Sequence, residues 1–212
     1  MNRKMPLRKI FMIAIILLVA FLLLVFALFK ILNIRFPEIK FVYNGSSTQL
    51  KWNESLNLKQ TENKCAAYSI MAYRYVLKNE LTDADEIYNS IGKKDSNGNI
   101  YPWILRDYLK SNDEETNIYW IGHLSETDLK NWIIGKLENG YPIIILIGNK
   151  KIMHYIVILG YKDDDLMIYD SNYTRNANDD ESGNFTVPMK SIRKAMLNSY
   201  FGIIPIHIAI TQ

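Results

Sequence analysis

A continuous run of twenty apolar residues, residues 10–29, constrains this chain more than any other feature of its sequence. An α-helix of that length rises about 30 Å, which matches the hydrocarbon core of a bilayer. A cleavable signal peptide is the alternative, but its apolar region spans only about 7–15 residues and ends at a small-x-small cleavage site. Phe29-Lys30-Ile31 offers no such site. The sequence therefore predicts an uncleaved transmembrane anchor over residues 10–30.

Charged residues around this run predict its orientation. Arg3, Lys4, Arg8 and Lys9 precede it, and residues 1–35 carry six basic and no acidic side chains. The positive-inside rule then places the N-terminus in the cytoplasm and the rest of the chain outside. That remainder carries 19 basic and 22 acidic side chains. It is mildly acidic and has no basic stripe of the kind that binds nucleic acid.

The part of the chain beyond the anchor is long enough for one domain with its own core. The predicted division is a cytoplasmic N-terminus at 1–9, the anchor at 10–30, a juxtamembrane segment at 31–54 and the domain at 55–212. Cys65 is the only cysteine, which excludes an internal disulfide framework. A lone cysteine is often a small buried hydrophobic side chain, and that interpretation stays open beside a catalytic one.

The hydrophobic period changes along the domain from helical to strand-like. Asn63 is a candidate N-cap for the first helix, and Thr82-x-x-Asp85 resembles a capping box for the second. Helices first and an antiparallel sheet second predict the α+β class. Predicted helices begin near Cys65, Thr82, Pro102 and Ser125; predicted strands cover 142–147, 155–161, 166–170, 185–187 and 203–210; a further helix lies near 189–198.

The surroundings of Cys65 favour a reactive thiol over an inert one. Cys65 is predicted in the first turn of a helix, where unpaired N–H groups and the helix dipole stabilise an anion such as a thiolate. Gln60 precedes it in the loop that enters the helix. A side-chain amide there can direct an N–H group above the sulfur. Together with the Cys65 backbone N–H it would form an oxyanion hole.

A thiol nucleophile also needs a base, and the chain has only three histidines. His207 alternates with isoleucines and is interpreted as structural, and His123 as a surface residue, whereas His154 begins an apolar strand. If the hairpin after that strand has a three-residue loop, His154 lies opposite Asn172, with Asp170 as its diagonal neighbour on the same face. A two- or four-residue loop would reverse this parity. Asp170, with Asn172 as the alternative, is then the candidate that orients the imidazole.

Taken in order, these residues resemble the bacteriocin-processing-type (double-glycine leader) cysteine peptidase-like family, a branch of the papain-like fold. The resemblance covers roughly residues 55–210. The resembling segments are QTENKCAAYS at 60–69, NGYPIIILI at 139–147 and HYIVILGYKDDDLMIYDSN at 154–172.

The resemblance implies a papain-like fold in which Cys65 is the nucleophile, His154 the base, Asp170 the residue that orients the base and Gln60 the oxyanion residue. Two positions depart from the family pattern. Family members often have Asp-Cys-Gly at the nucleophile and Asp-Pro after the hairpin, whereas this chain has Lys-Cys-Ala and Asp-Ser. Members that process leader peptides act on the cytoplasmic side, so the predicted location outside argues against that substrate.

Three functions remain open from the sequence. The first is a membrane-anchored, extracytoplasmic cysteine peptidase-like hydrolase that cleaves a peptide or isopeptide bond of a peptide or protein substrate. The second is a thiol acyltransferase with the same residues, and the third is an inactive papain-like binding or scaffold module. No cofactor is expected. No metal site is expected either, because three scattered histidines and one cysteine lack ligand spacing. Asp95–Asn99 is predicted to be a turn, since its glycine is at position four, whereas a calcium loop has it at position six.

Overall fold

The computed structural model describes residues 6–39, 47–148, 153–173, 183–197, 200–201, 204–205 and 207–212. Its contacts divide the chain into two units, Met1–Arg35 and Phe36–Gln212.

The first unit is dominated by one long helix, α1 (Leu7–Ile31), which begins after Pro6 and is followed by the short strand β1 (Ile34–Arg35). None of the 25 residues of α1 is buried. By length and composition the helix can cross a membrane, and a signal sequence near an N-terminus meets the same criterion. Its apolar surface has no covering from its own unit, as expected of a helix whose solvent is lipid.

The second unit begins with short segments, continues with helices and ends mainly in strands. Its helices are α2 (Cys65–Lys78), α3 (Ala84–Ser90), α4 (Pro102–Ser111), α5 (Glu126–Glu138) and α6 (Met189–Leu197), with a 3₁₀ turn at Glu54–Leu56. Its strands are β2 (Ser47–Gln49), β3 (Asn117–Trp120), β4 (Ile143–Gly148), β5 (Met153–Lys162), β6 (Asp165–Tyr169), β7 (Phe185–Pro188), β8 (Tyr200–Phe201), β9 (Ile204–Pro205) and β10 (Ile208–Thr211).

The main sheet runs in the order β3-β10-β4-β5-β6-β7, with antiparallel pairing between neighbours. Strand β5 is central to it: β6 pairs along one edge, while β4 and β2 share the other edge at opposite ends. Gly160 permits the approach of β2, since a Cβ there would lie 2.9 Å from Met167 Sδ and 3.0 Å from the Thr48 carbonyl. β8 and β9 form a separate pair.

Both faces of the sheet are covered. Ile156 and Ile158 of β5 belong to a buried cluster that includes Leu129, Trp132 and Ile133 of α5 and extends to α6. Tyr155 and Val157 alternate with them and are also buried, and α2 contacts the same strand. The domain is therefore α+β, with helices on both faces of an antiparallel sheet.

Some predicted local features differ from the structure. The N-cap of α3 is Asp83, whose carboxylate accepts from the backbone N–H groups of Asp85 and Glu86, and not Thr82. Asn63 does not cap α2, because its side chain donates to the Asn97 carbonyl instead. Ser125 does cap α5, as predicted. Strand β3 was not predicted; its four residues are held by distant β10 rather than by a local pattern.

Candidate active site

Cys65 is the first residue of α2 and is buried, with 8% of its surface exposed. The small side chains of Ala66 and Ala67, fully buried behind it, let the helix start pack closely against the sheet. Lys64 occupies the N-cap position, but its ammonium extends to Asp85 at 3.0 Å rather than capping the helix. The N–H groups of Ala67 and Tyr68 donate to the Lys64 carbonyl, and Cys65 lies at the positive end of the helix dipole.

His154 lies near the start of β5 with 6% of its surface exposed. Its Nε2 is 2.7 Å from Oδ1 of Asp170, which follows β6 and is 8% exposed. A carboxylate only accepts hydrogen bonds, so this contact places a proton on Nε2 and leaves Nδ1 for exchange with a second group. Cys65 lies close enough to the ring to raise the pKa of His154.

The pairing of His154 with Asp170 arises by a different route from the one predicted. The hairpin loop has two residues, Asp163–Asp164, because Lys162 pairs with Asp165. That loop alone would put Asp170 on the wrong face. However, the register shifts by one residue between Ile158 and Gly160. This β-bulge reverses the parity again and brings Asp170 to the face of His154.

The electrostatic environment favours the protonated imidazole. Burial lowers the pKa of His154, but the interactions of the ring with Asp170 and Cys65 have the larger effect and raise its pKa to about 9. The ring is therefore charged at neutral pH. A buried imidazolium beside a thiol and a carboxylate can stabilise a thiolate and later donate its proton.

Asn172, the alternative orienting residue, also contributes. Its side-chain amide lies 3.2 Å from His154 Nε2, and its backbone N–H donates to Asp170 Oδ1 at 2.9 Å. The second bond fixes the carboxylate that holds the ring. Asp170 and Asn172 thus act on the same edge of the imidazole.

Gln60 lies against the same segment of chain. Its backbone N–H donates to the Ser171 carbonyl at 2.7 Å, and its Oε1 accepts from the Ser171 hydroxyl at 2.7 Å. Its Nε2 donates to the Glu62 carbonyl at 3.0 Å. Residues 170–172 therefore contact both the predicted base and the predicted oxyanion residue.

Sequence reasoning missed Asn184, which is fully buried at the start of β7. Its side chain accepts from the Asp170 backbone N–H at 2.8 Å and donates to the carbonyls of Asp170, at 2.8 Å, and Tyr173, at 3.1 Å. The preceding Gly183 has φ +91°, and a Cβ there would meet the Ile168 carbonyl at 2.1 Å. The sequence signal for this role was the Gly183-Asn184 pair just before β7. The residue that Asn184 holds, Asp170, lies 14 residues earlier in the sequence, so the pair alone does not identify it.

The other two histidines lie apart from these contacts. His123 is exposed and packs edge-on against Phe36. His207 is buried beside Gly122, where a Cβ would be 2.5 Å from its Nδ1. Burial and the charge of Arg193 lower the pKa of His207. It has the structural surroundings that the sequence predicted for it.

The residues that the structure describes contain no cluster of three His, Cys, Asp or Glu side chains suited to a metal ion. The carboxylate of Asp95, at the predicted turn, accepts its hydrogen bonds from other residues of the same turn. It accepts from the backbone N–H groups of Asn97 and Asn99 and from the Asn99 side chain. These bonds lower the pKa of Asp95 and close the turn on itself.

The fold and the family are established by comparison with known proteins. The sequence model of the Peptidase_C39-like family matches residues 49–198. A crystal structure of a protein from Bacillus anthracis, described as a C39-like peptidase, superposes with a TM-score of 0.52 at 15% identity, covering 79% of this chain and 97% of that one. Comparison with curated proteins finds no match.

The domain thus has the α+β, papain-like fold of cysteine peptidases, which confirms the predicted class. The chain belongs to the Peptidase_C39-like family.

Proposed function

We propose that this protein is a membrane-anchored, extracytoplasmic cysteine hydrolase that cleaves a peptide or isopeptide bond. One observation carries the proposal: a buried histidine, His154, contacts Asp170, and its pKa is raised by Asp170 and by Cys65 at the start of α2. Membership of a cysteine peptidase-like family supports the same chemistry.

In the proposed reaction, the Cys65 sulfur attacks the carbonyl carbon of the scissile bond while His154 holds the thiol proton. The negative charge moves to the carbonyl oxygen, where N–H groups of Gln60 and the Cys65 backbone stabilise it. His154 then gives its proton to the leaving amine, and a thioester remains. Water hydrolyses the thioester after losing a proton to His154, which regenerates the thiol and releases an acid.

Asp170 is assigned the orienting role. Its carboxylate holds the proton on Nε2 of His154, so that Nδ1 is the nitrogen that exchanges a proton with sulfur and substrate. The raised pKa of His154, about 9, favours a thiolate–imidazolium pair at neutral pH. Such a pair is the reactive form of a cysteine nucleophile.

The location outside the cell rests on α1. An exposed apolar helix whose first turn carries Arg8 and Lys9 supports an anchor with its N-terminus in the cytoplasm. Alkaline carbonate extraction should leave the protein in the membrane fraction, and N-terminal sequencing should recover the original N-terminus. A soluble product with a new N-terminus beyond α1 would show a cleaved signal sequence and contradict the anchor.

The activity is tested by incubating the full-length protein in detergent micelles with a proteome-derived peptide library and sequencing the new termini by mass spectrometry. The expected result is a set of cleavages that a Cys65→Ala variant does not produce. The Cys65→Ala protein should fold normally, because the position is small and buried. Absence of Cys65-dependent cleavage would contradict the proposal and favour an inactive binding module.

A further inference from the structure

Ser171 occupies an unusual position between the two residues that hold His154. It is 1% exposed, and Asp170 and Asn172 on either side of it both lie at the Nε2 edge of the imidazole. Ser171 itself forms hydrogen bonds with Gln60. The Ser171 carbonyl accepts from the Gln60 backbone and its hydroxyl donates to Gln60 Oε1, both at 2.7 Å.

These contacts fix the orientation of the Gln60 side-chain amide. The Glu62 carbonyl can only accept a hydrogen bond, so the amide nitrogen must face it, at 3.0 Å. The amide oxygen then faces Ser171, whose hydroxyl can donate. Glu62 adopts a left-handed φ of 53°, the conformation of the turn that presents its carbonyl to Gln60. A primary amide has two N–H donors, and among the described residues only the Glu62 carbonyl accepts from Gln60 Nε2, which leaves one donor for a substrate.

We propose that Ser171 is a positioning residue that acts through Gln60. Its hydroxyl holds the amide so that the remaining N–H is directed at the oxyanion, and it thereby links the oxyanion donor to the segment that orients His154. This inference rests on the proposed hydrolase function.

The effect of Ser171 is separable from the reactivity of the thiol. Alkylation by iodoacetamide needs the thiolate but forms no oxyanion, since iodide leaves as the C–S bond forms. A peptide aldehyde adds the sulfur to its carbonyl and places negative charge on oxygen, as the tetrahedral intermediate does. The ratio of the two reactions therefore reports the oxyanion site alone.

The experiment uses the full-length protein in detergent micelles and four variants, Ser171→Ala, Ser171→Thr, Gln60→Ala and the Ser171→Ala/Gln60→Ala double variant. Iodoacetamide gives the alkylation rate of Cys65 at each pH. The Kd of the neutral aldehyde acetyl-phenylalanyl-glycinal is measured by its protection of Cys65 from alkylation. We expect Ser171→Ala to keep the wild-type alkylation profile and to raise the aldehyde Kd about tenfold, the effect of one hydrogen bond. Ser171→Thr should restore the affinity, and the double variant should bind no more weakly than Gln60→Ala.

An unchanged Kd in Ser171→Ala would overturn the inference. Equal losses of alkylation and affinity would also overturn it, because they indicate a structural role, and so would additive effects in the double variant. A wild-type protein that alkylates rapidly but does not bind the aldehyde would refute the oxyanion site together with this role of Ser171. Alkylation only above about pH 8.5, where an ordinary thiol ionises, would instead refute the proposed function itself.

Discussion

His154 and His207 are buried to the same degree, 6% and 5% exposed, and each lies at the start of a strand of the same sheet. Their pKa values nevertheless move in opposite directions. Burial and the charge of Arg193 lower the pKa of His207 below its usual value of 6.5. At His154 the same effect of burial is outweighed by Asp170 and Cys65, and the pKa rises to about 9.

The difference separates the effect of burial on the pKa of an imidazole from the effect of the groups that contact it. Burial alone disfavours the charged form, because the interior solvates an ion poorly. No described residue bonds His207 Nε2, so no hydrogen bond from the described residues to this nitrogen offsets its loss of solvation. At His154, Asp170 and Cys65 offset the loss of solvation and favour the charged form of the buried ring. The protonation state of a buried histidine in this domain therefore depends on the groups that contact its ring and not on how deeply the ring is buried.

The largest expected effect comes from removing the charged ring. In His154→Ala, alkylation of Cys65 by iodoacetamide at pH 6 should slow by about 10²-fold, because an ordinary thiol is less than about 1% ionised at that pH. Iodoacetamide kinetics followed by mass spectrometry measure this. His207→Leu is the matched control and should react at the wild-type rate. If both variants slow equally, the distinction between the two histidines is wrong.

A smaller effect is expected when the ring keeps its place but loses its charged partner. Asp170→Asn replaces the carboxylate by a neutral amide of the same size, so the pKa of His154 should fall from about 9 toward 6.5. An imidazole with a pKa of 6.5 is still about three-quarters protonated at pH 6 but only about one-tenth protonated at pH 7.5. Alkylation should therefore slow by less than about twofold at pH 6 and by about tenfold near pH 7.5. Rates across pH 5–9 check it. A variant that retains the wild-type profile would show that Asp170 does not set the charge of His154.

How far these features could be predicted from the sequence depends on the range of the interaction. The helix start at Cys65, the Ser125 cap and the strands β4 to β7 are local, and the structure has them where the pattern placed them. β2 and β3 were not predicted, and the predicted strand 203–210 is divided into β9 and β10. The bulge after Ile158 is not marked by the hydrophobic pattern. Gly160 beside it was the only local sign, since glycine inside a strand often accompanies a bulge.

Long-range contacts account for the rest of what sequence reasoning missed. Asn184 lies 14 residues beyond Asp170, and its role depends on two backbone segments meeting at one buried side chain. The hydroxyl of Ser171 and the amide of Gln60 are separated by 111 residues. No periodicity connects such positions, so only the fold shows that they touch.

The smallest effect is expected at His207. In His207→Leu, the free energy of unfolding at pH 7 should change little or rise by up to about 1 kcal/mol, because a buried nitrogen without a described partner is removed. Since the pKa of His207 is lowered on folding, the wild type loses stability as the pH falls from 6.5 through the folded-state pKa. Urea unfolding at pH 7 and pH 5 should show a smaller acid loss in the variant.

An equal loss of stability in both proteins between these pH values would contradict the assignment of His207 as a neutral, structural ring. A loss of several kcal/mol at pH 7 would do so as well.

The contrast between the two rings can be measured directly, because the chain contains only three histidines. Titration of the imidazole resonances of the ¹³C,¹⁵N-histidine-labelled protein by NMR gives the pKa of each. The expected result is a pKa near 9 for His154, which falls in both Asp170→Asn and Cys65→Ala, and a pKa below 6.5 for His207. A His154 resonance that titrates at or below 6.5 would contradict the account of a charged imidazole held between Cys65 and Asp170.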